Sequence, residues 1–154
     1  MNVLKELKYH KACEEGLLWV ESQKDQSPES LFKEAMREKK YTDLNWVISR
    51  LLKTEDKIRY AIFAARLVLH IFEEKYPKDK RPRLAIEAAE NYLKNPTEEN
   101  KYAATYAAYA AADAAYAAYA AATYSANAAG DAATSVRIKV LNYGFKLLMK
   151  GGKQ

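Results

Sequence analysis

Apolar residues recur along this chain at three- and four-residue spacing, and each break in the rhythm coincides with a helix start or stop signal. Leu4, Leu7, Leu17, Leu18 and Trp19 give an inward face to a first segment ending near Ser22, with Gly16 a candidate kink. Ser27-Pro28-Glu29 then combines a capping hydroxyl, a proline at the first helical position and an acid in the first turn. The helix it opens buries Leu31, Phe32, Ala35 and Met36 and ends in the basic run Arg37 to Lys40. Thr42-Asp43 starts another through Leu44, Val47, Ile48, Leu51 and Leu52. Thr54-Glu55-Asp56 caps a longer one through Ile58, Ile62, Ala65, Leu69 and Phe72, which Tyr76-Pro77 stops. Pro82 begins a helix through Leu84, Ile86, Ala89, Tyr92 and Leu93 to Asn95-Pro96, and Thr97-Glu98-Glu99-Asn100 opens the last region.

That region changes character. From Ala103 to Ala133 there are nineteen alanines in thirty-one residues, and alanine is both the best helix former and nearly free of side chain. No proline interrupts the chain from there to Lys150, so an unbroken helix would reach about 75 Å, against a radius of gyration of roughly 15 Å for a domain this size. A break is therefore expected in the cluster Thr123, Ser125, Asn127, Gly130, Asp131, with Asp131 capping a final helix to about Met149. At 100° per residue Tyr102, Tyr106, Tyr109, Tyr116 and Tyr124 lie within about 40° of one direction, and Ala104, Ala107, Ala111, Ala114, Ala118 and Ala122 line the opposite face. Two readings stay open: rings filling a core gap beside a closely packed alanine face, or a tyrosine recognition surface. Asp113 falls inside the stripe. In the last helix Arg137 falls on the apolar face of Val136, Val140, Leu141, Phe145 and Leu148, which leaves two readings: a candidate Asp113–Arg137 ion pair that offsets the burial of both charges, or a short helix whose faces lie differently.

The expectation is an all-α fold: one helical domain over 1–154, six to eight helices around the Ala/Tyr-rich helix, that region spanning 98–150, and a short disordered tail at 151–154. Composition supports it, with 49% hydrophobic and 29% charged residues and only five glycines and four prolines. The single cysteine, Cys13, allows no internal disulfide and fits a reducing compartment. With no signal-type leader and no convincing membrane-spanning run, a cytoplasmic protein is expected.

Candidate chemistry is sparse. Scattered glycines cannot form a phosphate-binding loop, and two histidines with one cysteine make a poor metal set, although His10 and Cys13 would share a helical face. No nucleophile–base constellation has local support, so neither catalysis, metal nor cofactor is expected. The net charge of +5 is mixed along the chain. Nucleic-acid binding would draw on Lys78, Lys80, Arg81 and Arg83 beside Tyr76, and on the Lys139, Lys146 and Lys150 face.

One stretch is more specific. Phe72-Glu73-Glu74-Lys75-Tyr76-Pro77, then Asp79-Lys80-Arg81-Pro82-Arg83 and Ala85-Ile86-Glu87-Ala88-Ala89, resembles the signature of an immunity-protein family of bacterial polymorphic-toxin loci and tailed-phage genomes. Members follow that signature with an alanine-rich helical region, as here from Tyr102. Cys13 to Trp19, Ser27 to Leu31 and Asn45-Trp46-Val47 are similar to the phage branch. The resemblance implies a non-enzymatic protein that binds and neutralises a toxin, a host-defence protein or a host enzyme, through a preformed helical surface with aromatic anchors and a basic rim. Tyr106, Tyr109, Tyr116, Arg81 and Arg83 are the candidate contacts. A nucleic-acid accessory protein and a structural homo-oligomer are the alternatives, with a monomer or small homo-oligomer and no membrane partner expected.

Overall fold

The chain is all-α. A computed structural model describes residues 2–103 and 130–151, with side chains in the second stretch from 134 onward. Among the described residues every regular element is a helix: α1 (Val3–Tyr9), α2 (Glu14–Ser22), α3 (Pro28–Arg37), α4 (Tyr41–Leu51), α5 (Thr54–Lys75), α6 (Arg81–Lys94) and α7 (Gly130–Gly151). Residues 98–103 are helical as well. The chain divides into two units, Met1–Asp56 with Arg137–Gln154, and Lys57–Val136.

In the first unit, Asn2 caps α1 by accepting the Lys5 amide at 3.0 Å. The expected single first segment is in fact two helices, and the break falls at residues 10–13 rather than at Gly16, which lies inside α2. Lys11 turns left-handed (φ 57°). The Ala12 amide then donates to the Leu7 carbonyl at 2.9 Å and the Lys11 amide to the Lys8 carbonyl at 3.1 Å, the paired bonds of a Schellman stop. This resets the helical phase. Leu18, expected inward, is 57% exposed, and Val20 takes the buried place. His10 and Cys13 become the C-cap of one helix and the N-cap of the next, so they share no helical face.

α3 starts as its sequence predicts, with Ser27 accepting the Ser30 amide at 3.3 Å and Pro28 in the first turn. It stops by the same device as α1: Lys39 is left-handed (φ 58°), its amide donates to Met36 and the Lys40 amide to Ala35. α4 buries Leu44 and Ile48, and Leu141 of α7 is equally enclosed. Val3, Leu7, Val20 and Leu31 form a core cluster, flanked by half-buried residues that include Trp19, Trp46 and Val47. Phe32 of α3 and Phe145 of α7 stack with centroids 4.2 Å apart and planes 12° from parallel.

In the second unit α5 buries Tyr60, Leu69 and Phe72, and α6 buries Ala85 and Ile86. Leu84 is exposed, because it lies about 200° round the helix from the buried Ile86. Tyr102, where the tyrosine stripe begins, is exposed too. Tyr106, Tyr109, Tyr116 and Asp113, the alanine tract and the expected break before Gly130 lie outside the described residues, as does the tail from 152. Gly151, assigned to that tail, is the last residue of α7.

Candidate functional site

The segment with the most specific sequence folds into a clasped helical hairpin. Pro77 ends α5, and the Tyr76 amide makes the last turn by donating to Phe72 at 2.8 Å. The Asp79 amide donates back to the Tyr76 carbonyl at 3.0 Å, and the Asp79 carboxylate accepts the Arg81 amide at 3.0 Å, so a short turn feeds α6. Arg81 also folds its guanidinium onto that carboxylate, Nε to Oδ1 at 2.9 Å and Nη2 to Oδ2 at 2.5 Å. The guanidinium, and then the Arg81 amide, hold the Asp79 carboxyl down at about 2.

Further along, Arg83 grips Glu73 of α5, and Arg66 of α5 grips Glu90 of α6 with its Nε 2.7 Å from Oε1. Both pairs have residue numbers that add to 156, and they are seven residues apart on each helix. The helices therefore run antiparallel, held by two ion pairs one heptad apart. Arg83 holds the Glu73 carboxyl below its usual range, and Glu73 in turn raises Arg83. At the tip the Tyr76 ring packs 5.0 Å from Phe72 under the Lys75 ammonium.

Sequence reasoning had singled out Arg81 and Arg83 as contact candidates. The hairpin brings them to its tip, both exposed and both already bonded to carboxylates. Arg137 is exposed on α7, and Asp113, its candidate partner, lies outside the described residues.

A second feature had no sequence signal. The first unit holds a half-open cavity of about 460 Å³ between Leu7, Trp19, Leu31, Phe32, Trp46 and Phe145, among others. Trp19 is fixed at its edge: the indole N–H donates to Glu38 at 2.8 Å and the Lys40 ammonium stands 5.6 Å over the ring. Such a cavity is assembled from five helices, and no local spacing reveals it.

Among the described residues no group of three or more His, Cys, Asp or Glu is placed to hold a metal ion. None of the described helices is long and apolar enough to cross a membrane. The class so defined is a small all-helical protein whose most organised polar feature is an arginine–carboxylate clasp. Over residues 50–146 the chain matches the Imm-5 like putative immunity protein family, and it belongs to that family. No curated protein and no solved structure matches it significantly.

Proposed function

We propose that the protein acts by binding: it occupies a protein partner and neutralises it, with no chemistry of its own. The observation that carries this reading is that the family match over 50–146 contains the whole α5–α6 hairpin. A hairpin whose arginines are already fixed offers a preformed surface, so less conformational freedom is lost on association. Arg81 and Arg83, held in place by Asp79 and Glu73, are the basic contacts we assign to that partner, acting by fixed position rather than by unpaired charge. Tyr106, Tyr109 and Tyr116 remain the aromatic contacts we assign to the same partner. The partner is a toxin, a host-defence protein or a host enzyme, met in the cytoplasm.

A nucleic-acid role gains less support. Two of the seven basic residues named for it, Arg81 and Arg83, are paired with Asp79 and Glu73, whereas phosphate binding depends on cations free to displace counterions. The test is affinity capture of the tagged full chain from cells of a bacterial host, beside an Arg81→Glu/Arg83→Glu variant. One protein recovered in equimolar amount with the tagged chain, and lost from the variant, is expected. Material that disappears on nuclease treatment, or recovery unchanged in the variant, would overturn the reading.

A further inference from the structure

The cavity in the first unit lies almost wholly outside the family match: of its lining residues only Leu51 and Phe145 fall within 50–146. Protein interiors are close-packed, with few voids larger than a water molecule. A space of about 460 Å³ is instead of the size that small-molecule sites have. Leu7, Leu31, Ile48 and Leu148 give it aliphatic walls.

Two rings in its wall are held in place by contacts of their own. Trp19 is held by its bond to Glu38 and by Lys40 above it, and Phe145 is held by its stack on Phe32. The chamber is therefore preformed. Around it the charged residues balance, Lys11 and Lys40 against Glu15 and Asp43, so no net charge selects a headgroup.

We propose that this cavity is a binding site for a single aliphatic chain. A half-open space of about 460 Å³ is within the size range of small-molecule sites, and its aliphatic walls suit an extended alkyl chain lying along them. The ligand is recognised by its tail, whether it arrives as a free fatty acid or alcohol or as the tail of a membrane lipid.

The full chain is titrated with the neutral apolar fluorophore N-phenyl-1-naphthylamine while Trp19 and Trp46 emission is followed. Saturable binding at one dye per chain, with quenching of the tryptophans, is expected, and palmitic acid and hexadecanol should displace the dye at similar concentrations. Phosphatidylcholine vesicles separate the sources: displacement by the free chains alone assigns a soluble ligand, and co-sedimentation with vesicles assigns a lipid tail. Cys13, the sole cysteine, lines the cavity and is exposed, so benzyl methanethiosulfonate can plug it. The plug should weaken dye binding by roughly tenfold or more, and dithiothreitol should restore it, which shows that the fold survived. Dye binding that does not saturate, or that the plug leaves unchanged, overturns the proposal. Neither result bears on partner capture, whose variants lie in the other unit.

Discussion

Arg83 and Glu73 meet through two parallel bonds, Nε to Oε1 at 2.7 Å and Nη2 to Oε2 at 2.6 Å, with the cation on α6. One heptad away the order is reversed, with the cation Arg66 on α5 and the carboxylate Glu90 on α6. The reversal has a consequence for register. Sliding one helix by a heptad would set Arg66 against Arg83 in one direction and Glu73 against Glu90 in the other. Both slips bring like charges together, so the pairs discriminate against wrong registers as well as closing the right one.

Arg83→Glu should therefore lower the melting temperature of the protein by placing two carboxylates face to face. Combining it with Glu73→Arg should recover most of the loss. Because both pairs are exposed to solvent, the effect should be small and should shrink further in molar salt. Thermal melts of the two variants at low and high ionic strength check this. A double variant no better than the single one would mean that the helices are held by other contacts.

Acid should loosen the hairpin turn before it unfolds the helices. The Asp79 carboxyl sits at about 2, against an ordinary value of 3.8, because the Arg81 guanidinium and amide both bond its charged form. A depressed folded value means that the contribution is complete above the ordinary carboxylate range and is lost as pH falls from about 4 towards 2. Carbon-detected NMR titration of Asp79 should give that low value, and Arg81→Ala should move it up. Asp79→Asn should flatten the pH dependence of the turn's amide exchange over the same interval.

What was legible in the sequence was local. Ser27-Pro28 and Tyr76-Pro77 act through bonds within one turn, so the start of α3 and the end of α5 stand where the residues put them. The stop at Lys11 was missed because lysine carries no left-handed signal, and the glycine that does, Gly16, sits quietly inside α2. Leu18 then fell out of phase with the core for the same reason. The clasp joins residues ten and twenty-four positions apart, and the cavity draws its walls from five helices. Both are products of tertiary assembly, which spacing along a single helix does not encode.

The two Schellman stops hold lysines where glycine is favoured. Lys11 and Lys39 adopt φ of 57° and 58°, a left-handed state that costs an L-residue roughly 1–2 kcal/mol. Glycine removes that cost but gives back up to about 1 kcal/mol through the freedom of its unfolded chain. Lys39→Gly and Lys11→Gly should each stabilise the first unit by about 0.5 kcal/mol, and Lys39→Val should destabilise it. Urea unfolding followed by tryptophan emission measures all three. A loss of stability in Lys39→Gly would show that the lysine side chain holds more than its backbone strain gives away.

Phe145 is the side chain through which α7 stacks on α3. Its ring lies 4.2 Å from that of Phe32 and within 12° of parallel, a contact worth about 1 kcal/mol beyond the apolar area it covers. Both rings are half-buried, so Phe145→Ala should cost about 2 kcal/mol, below the range for a fully buried phenylalanine. Phe145→Leu keeps most of the apolar contact and should cost about 1 kcal/mol, the part that belongs to the stacking itself. A double-mutant cycle with Phe32→Leu isolates that part, because once one ring is gone the second substitution has no stack left to lose. Additive losses in the cycle would mean that the two rings merely lie side by side. Coupling of the expected size would make the stack a specific tie between the chain's first half and its last helix.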